Sequence, residues 1–135
     1  MIPQSLREEM ALRISRIANR MKTQGIDAIL VSDNANLYYT SGRVFSGYTY
    51  ITADGAATYF VWRPVGLQGE NVKYIRKPEQ IAEMLQEKPA VLGLELDVTP
   101  YGIVERLMKV FDGAKITNGS VIIAQVGAEK KELEQ

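Results

Sequence analysis

The chain has 135 residues, 46% of them hydrophobic and 24% charged, which is typical of one ordinary globular domain. Sixteen basic and sixteen acidic residues balance to a formal net charge of zero, so no overall field draws the chain to nucleic acid or to an anionic membrane. Cysteine and histidine are absent. This excludes disulfides, thiolate zinc sites and histidine-dependent nucleophiles. No apolar run approaches the roughly 18 residues that span a bilayer. The absence of cysteine is compatible with the cytosol and the amphipathic N-terminus does not resemble a signal peptide, so we expect a cytoplasmic protein.

The N-terminal segment predicts an amphipathic helix. Residues Ser5–Glu8 match a capping box, which places the first helical residue at Leu6. Apolar side chains then recur every three or four positions, as expected for one helical face: Leu6, Met10, Ile14, Ile17 and Met21. Gly25 has the position of a C-terminal cap.

A buried strand and a short helix are predicted next. Residues 26–31 form a short apolar run that favours a buried strand. Residues 34–39 predict a short helix, capped by Ser32 or Asp33 and closed by Gly42.

The middle of the chain predicts a β-hairpin. Two runs rich in aromatic and β-branched residues, 48–52 and 57–62, flank Asp54-Gly55, a strong turn signal. Residues 63–71 contain two glycines and a proline and indicate a loop, and residues 72–76 indicate a third strand of the group.

Strands and helices alternate in the remainder. The predicted elements are a helix from Pro78 to about Glu87, a strand over 90–96, a helix opened by Thr99-Pro100, a strand over 114–117 and a short helix over 120–125. The second of these helices has an apolar face made of Val104, Leu107, Met108 and Phe111. The order predicts an α/β fold: a mixed β-sheet with a central hairpin group, flanked by helices.

Three acidic residues lie in or just after predicted strands. Asp27, Glu95 and Asp97 could hold Mg²⁺ as in a nuclease, because carboxylates at strand ends are suitable magnesium ligands. The simpler interpretation is that Asp27 faces solvent and that Glu95 and Asp97 lead into a turn, since isolated carboxylates carry little information.

The loop after the short helix is the most suggestive segment. Gly42 and Gly47 bracket Arg43 and Phe45, a pair that suits capture of a carboxylate together with an apolar contact. The alternative is equally open: Phe45 packs under the loop and Arg43 is solvated. At the end of the hairpin, Trp62 and Arg63 offer a similar combination, although tryptophan is more often core or an interface anchor.

One sequence pattern covers nearly the whole chain. Its first block runs from Arg13-x-x-Arg16 through Gly25-Ile26-Asp27-Ala28 to Asn34-x-Asn36-Leu37-Tyr38-Tyr39-Thr40-Ser41-Gly42, and its second is Leu92-Gly93-Leu94-Glu95. This pattern resembles the N-terminal domain of the creatinase, aminopeptidase P and prolidase family. The chain departs from it at Tyr39 and Arg43, where leucine and phenylalanine are typical.

The resemblance implies a division of labour. It implies a domain with a ribonuclease H-like motif over residues 1–126, and a linker beginning at 127–135 that leads to a separate C-terminal catalytic domain. That domain would hold two divalent metal ions (Mn, Co or Zn) and cleave the bond before proline. The chain itself would hold no metal and no catalytic residue, although the parent protein would be a metallopeptidase.

The same resemblance implies the partners. They are the chain's own catalytic domain, a second copy in a homodimer and the peptide substrates, without nucleic acid or membrane. By analogy, Arg43, Phe45, Trp62 and Arg63 would enclose the substrate. Two alternatives remain: a stand-alone module that binds a small molecule or protein, and the N-terminal domain of a creatinase-like amidinohydrolase.

Overall fold

A computed structural model describes the backbone of residues 4–134 and the side chains of residues 5–127. It contains six strands and five helices in that range. In chain order they are α1 (Gln4–Gln24), β1 (Ala28–Val31), α2 (Asn34–Ser41), β2 (Ser46–Thr52), β3 (Ala57–Arg63), β4 (Val72–Tyr74), α3 (Glu79–Met84), β5 (Val91–Leu94), α4 (Tyr101–Val110), β6 (Lys115–Asn118) and α5 (Ser120–Glu134).

The six strands form one mixed sheet in the order β4-β3-β2-β1-β5-β6. Strand β2 is antiparallel to both of its neighbours, whereas β3 pairs with β4, and β5 with β1 and β6, in parallel. Five strands therefore end at the same end of the sheet, called here the carboxyl end, where β2 begins. The prediction of a mixed sheet with a central hairpin and flanking helices is confirmed.

Helices cover both faces of the sheet. All four residues of β1 are buried, as expected for a central strand covered on both faces. Ile29 and Val31 pack in one core cluster with residues of α1 and α5, whereas Ala28 and Leu30 pack in a second cluster with residues of α3 and α4. This alternation follows from the two-residue period of a strand.

The ends of α1 give one correction and one confirmation. The helix includes Gln4, so Ser5 lies within its first turn and is not the predicted cap, because glutamine and serine are tolerated well enough in a helix for it to begin earlier. At the other end, Gly25 has a φ of 69°. The Ile26 N–H donates to the Met21 carbonyl at 2.9 Å and the Gly25 N–H to the Lys22 carbonyl at 3.3 Å, which is the Schellman arrangement.

Two later helices differ from the prediction. Helix α3 ends at Met84 because Leu85 is extended and packs against the second core cluster. Pro100, not Thr99, occupies the cap position of α4, and the Thr99 hydroxyl lies 3.0 Å from that of Ser32. Met108, expected on the buried face of α4, is 48% exposed, since Val104, Leu107 and Phe111 already fill the space beneath the helix.

Helix α5 is longer than predicted. It runs to Glu134, through residues expected to begin a linker, and the side chains beyond residue 127 lie outside the described part. The division of the chain at residue 126 stays a prediction.

Residues 64–71 form the crossover loop, which connects the parallel strands β3 and β4. Such a connection usually takes a dozen or more residues and a helix, and here it takes eight residues and no helix. Leu67 packs against the first core cluster, and its carbonyl accepts the Tyr74 hydroxyl at 2.6 Å. The loop therefore takes the place of a helix over this part of the sheet.

Candidate functional site

A buried carboxylate organises the carboxyl end of the sheet. Glu95 directly follows β5 and is 1% exposed. Its carboxylate accepts the backbone N–H groups of Ser32 and Asp33, the latter at 2.8 Å, and the Asn36 side-chain amide at 2.7 Å. These bonds tie the end of β5 to the start of α2. The sequence interpretation had Glu95 leading into a turn, and it missed this role.

The start of α2 is also capped locally. Asp33 is the N-cap and its carboxylate accepts the Asn36 N–H at 3.4 Å, and Gly42 closes the helix with a φ of 72°. Both caps confirm the prediction. Together with Glu95 they fix the direction in which the chain leaves α2 for the following loop.

The three acidic residues considered as a magnesium site do not come together. Asp27 precedes β1 whereas Glu95 follows the parallel strand β5, so the two lie at opposite ends of the sheet. Asp27 accepts the N–H groups of Ala90 and Val91 at 3.1 and 2.8 Å, and Asp97 accepts the Asn118 amide at 2.8 Å. Among the described residues, no group of three or more acidic side chains could hold a metal ion. The nuclease interpretation is therefore wrong.

The loop between α2 and β2 directs Arg43 and Phe45 inward. The Arg43 guanidinium donates to the Gln68 carbonyl of the crossover loop, and its backbone N–H donates to the Ser41 hydroxyl at 3.0 Å. Phe45 is only 6% exposed and contacts the Tyr59 ring edge-on, with 6.3 Å between centroids. Val44, between them, is 82% exposed.

Trp62 and Arg63 lie at the end of β3. Trp62 is half-buried and contacts the Tyr48 ring edge-on at 5.5 Å, whereas Arg63 is exposed. The neighbouring Gly47 cannot be replaced without a shift, because an added Cβ would lie 1.8 Å from the Phe60 carbonyl oxygen. This close approach accompanies a register shift between Ser46 and Gly47, which turns the chain into the loop.

The four residues predicted to enclose a substrate are spread over three adjacent depressions. Arg43 and Phe45 line a cavity next to α1, Phe45 and Arg63 line an open depression near Tyr38, and Trp62 lines a third in front of the α2 N-terminus. They are neighbours at one end of the domain and do not converge on one point.

Sequence reasoning missed the exposed apolar residues at this end. Val65 in the crossover loop is 88% exposed and Tyr38 is 55% exposed, and both line the same open depression as Val44. Val98, also 55% exposed, lines the adjacent depression in front of the α2 N-terminus. Exposed apolar residues that adjoin one another indicate an interaction surface more strongly than scattered ones do. Only the position of Val65 between Pro64 and Gly66 could have suggested its exposure.

The family model for the Creatinase/Prolidase N-terminal domain matches residues 13–126. The chain belongs to this family. This creatinase/prolidase N-terminal domain is 30% identical over 103 residues to an Xaa-Pro dipeptidase of Pyrococcus horikoshii. The match covers 72% of the chain but only 29% of that relative, so the chain spans less than a third of its length.

Solved structures show the same fold. The Pyrococcus horikoshii prolidase superposes with a TM-score of 0.70 at 28% identity, covering 83% of this domain and 33% of that chain. The N-terminal domain of the cytoplasmic peptidase PepQ from Mycobacterium tuberculosis gives 0.73 at 18% identity, covering 85% and 98%. In the described part of this domain, no helix is long and apolar enough to cross a membrane.

Proposed function

We propose that this chain is the non-catalytic N-terminal domain of a metal-dependent Xaa-Pro dipeptidase or aminopeptidase of the cytoplasm. In that enzyme it contributes dimer contacts and helps to enclose the peptide substrate. Membership of the family supports the proposal, as does the likeness to an Xaa-Pro dipeptidase that is more than three times as long as the matched segment. The remaining length would form the catalytic domain.

The observation that carries the proposal is the surface at the carboxyl end of the sheet. Two loops present Val44 and Val65 outward, and the exposed Arg63 lies in the same depression. Apolar side chains next to an arginine suit an apolar peptide that ends in a carboxylate. Open α/β sheets also bind their ligands at the carboxyl ends of the strands.

Among the residues that the structure describes, no group of three or more acidic side chains could hold the metal ions of the proposed enzyme. The sequence has no histidine, and the three acidic residues considered above are engaged with backbone or amide groups at separate places. The metal ligands would therefore come from the catalytic domain, and this domain would act through shape and contact.

Kinetics of the complete enzyme test the role in substrate enclosure. We expect the double variant Arg63→Ala, Val65→Ser to change kcat/KM for Xaa-Pro peptides several-fold and to alter the preference for dipeptides over longer peptides. Met108→Ser on α4, also an exposed apolar position, is the matched control. Unchanged kinetics of the double variant would remove the enclosure role, and sedimentation of the same proteins would test the dimer contacts separately.

The size and activity of the native protein separate the alternatives. A native polypeptide that ends near Gln135 would contradict the proposal and favour a stand-alone binding module. A longer enzyme that hydrolyses creatine and leaves Xaa-Pro peptides intact would instead identify the creatinase-like alternative.

A further inference from the structure

The crossover loop leaves a space beneath it that a helix would have filled. The cavity has a volume of about 450 Å³ and lies between this loop, α1 and strands β3 and β4. This volume is within the range of small-molecule sites in proteins. It is on the α1 face of the sheet, beside the open depression that carries the proposed function.

The floor of the cavity is apolar. It is formed by Ile14 of α1, Phe45, Tyr59 of β3 and Val72 of β4, and Leu67 of the crossover loop lines its side. The Tyr59 hydroxyl is already occupied, because it donates to the Thr40 carbonyl at 3.2 Å. The floor thus offers a surface for a hydrocarbon or aromatic group.

Two arginines line the same cavity. Arg7 projects from the exposed side of α1, and Arg43 is half-buried in the loop wall. Neither forms an ion pair within the described part of the chain, and the partner of the Arg43 guanidinium is the neutral Gln68 carbonyl. The acidic lining residue is Glu70, so the lining keeps an excess of one positive charge.

The charge of Arg43 acts inside the cavity. Burial raises the pKa of the Tyr59 hydroxyl, and the positive charge of Arg43 opposes part of that rise. A guanidinium next to an apolar floor is most stable when a carboxylate accepts its N–H groups, since charge-assisted hydrogen bonds strengthen away from water.

We infer that this cavity binds a small organic acid, with its apolar body on the Phe45 and Tyr59 floor and its carboxylate on Arg7 and Arg43. The ligand is either a free apolar acid or the C-terminal end of a short apolar peptide, because both present the same two groups. This cavity adjoins the proposed substrate-enclosing surface, with Phe45 lining both, but its binding can be tested without a catalytic domain.

Titration of the 15N-labelled chain followed by NMR tests the inference. The probes are 3-phenylpropanoate as a free acid and N-acetyl-leucyl-proline as a peptide end, with 3-phenylpropanamide as the uncharged control. We expect at least one acid to bind saturably and to shift the amides of residues around Phe45, Leu67 and Val72, and the amide to bind about tenfold more weakly or less. The acid that binds more tightly shows whether the ligand is a free acid or the C-terminal end of a peptide.

Two kinds of variant separate charge from shape. Arg7→Gln and Arg43→Gln should each weaken binding of the acid, whereas Lys109→Gln, an exposed charge on α4, should not. Ala11→Phe fills the cavity from an exposed position of α1 and should abolish binding, whereas Ser15→Phe, one turn further along, should not.

Several outcomes would overturn the inference. They are the absence of saturable binding by either acid at millimolar concentration, equal binding of acid and amide, and full binding by Ala11→Phe. Arg7 has an exposed side chain without a described partner, so Arg7→Gln stays informative even if Arg43→Gln perturbs the loop. None of these outcomes depends on peptidase activity, and each would leave the proposed function standing.

Discussion

The two ends of α2 are held in different ways. At its start, the buried Glu95 accepts N–H groups from Ser32, Asp33 and Asn36, and so joins the helix to the end of β5. At its end, the chain enters the loop that contains Arg43. The Arg43 guanidinium donates a hydrogen bond to the Gln68 carbonyl and so connects this loop to the crossover loop. The first junction lies between sheet elements with a fixed register, and the second joins two loops.

This difference distinguishes a rigid part of the domain, at the start of α2, from an adaptable part, in the loops. A buried carboxylate with all its partners in place has one geometry, because each unsatisfied group would cost free energy away from water. A half-exposed arginine that donates to a carbonyl can exchange this hydrogen bond for one to water with little loss of free energy. The loops can therefore adapt to a ligand or partner while the sheet and the start of α2 stay fixed, as is common where a rigid scaffold carries functional loops.

The strongest test of this contrast is Glu95→Ala. The substitution leaves the Ser32 and Asp33 N–H groups and the Asn36 amide without their acceptor, and we expect a loss of roughly 3 kcal/mol in the free energy of unfolding. Urea denaturation measures it, with Glu105→Ala on the exposed side of α4 as control.

The variant Glu95→Gln refines the same test. It keeps an acceptor oxygen for the two backbone N–H groups but removes the charge, so its cost should be clearly smaller than that of Glu95→Ala. A loss below about 1 kcal/mol for Glu95→Ala would contradict the anchoring role, since that is the size of an ordinary substitution.

Gly47→Ala tests the close approach at the start of β2. The new Cβ would have to displace the Phe60 carbonyl, so we expect a loss of about 2 kcal/mol or more in the free energy of unfolding, measured by urea denaturation. Gly102→Ala in α4 is the matched control, because its Cβ meets nothing within 4 Å, and it should be neutral or stabilising by up to about 1 kcal/mol. Equal stabilities of the two variants would contradict the crowding at Gly47.

Arg43→Ala tests the link between the loops. We expect little effect on global stability, less than about 1 kcal/mol, because the bond is partly exposed. Hydrogen exchange of the amides in residues 68–71 should nevertheless become faster, since local opening loses its restraint. Unchanged exchange there would show that Tyr74 and Leu67 hold the crossover loop without Arg43.

The exposed ion pair Glu79–Arg106 should contribute the least to the free energy of unfolding, and its contribution should depend on pH. Two hydrogen bonds of 2.7 and 2.8 Å from Arg106 hold the pKa of Glu79 at about 2, below its ordinary value of 4.5. The ionised carboxylate is thus favoured in the folded state, so its contribution to stability is complete above pH 4.5 and is lost as the pH falls toward 2. In Arg106→Gln, an NMR titration should show the pKa of Glu79 raised toward 4.5, and a value that stays near 2 would contradict Arg106 as the main cause.

Local patterns predicted what local contacts determine. The caps of α2 at Asp33 and Gly42, the C-terminal glycine of α1 and the Asp54-Gly55 turn all depend on residues within a few positions of one another, and all are confirmed. Thr99 shows the limit of such patterns. It has the sequence of a cap, but its hydroxyl lies against Ser32, far away in the chain.

The burial and direction of several side chains depend on strand pairing between distant parts of the chain, which the sequence does not reveal. Glu95 and Asp97 are two residues apart and look alike, yet one is 1% exposed and the other is exposed, because the parallel pairing of β1 with β5 brings Ser32 and Asp33 over Glu95. The inward directions of Arg43 and Phe45 likewise depend on the crossover loop, whose covering of the sheet no periodicity reveals. The resemblance to a family predicted the fold but left these side-chain directions open.

The position of β1 also has a consequence for folding. Strand β2 follows β1 closely and forms a hairpin with β3, in which Tyr50 faces Thr58, so this half of the sheet can assemble from local contacts. The other edge of β1 pairs with β5, where Ala28 faces Leu92. During synthesis on the ribosome, that edge has no partner until more than ninety residues have emerged, because domains complete only when their distant strands are available. The central strand of the native sheet is thus an exposed edge strand in the nascent chain.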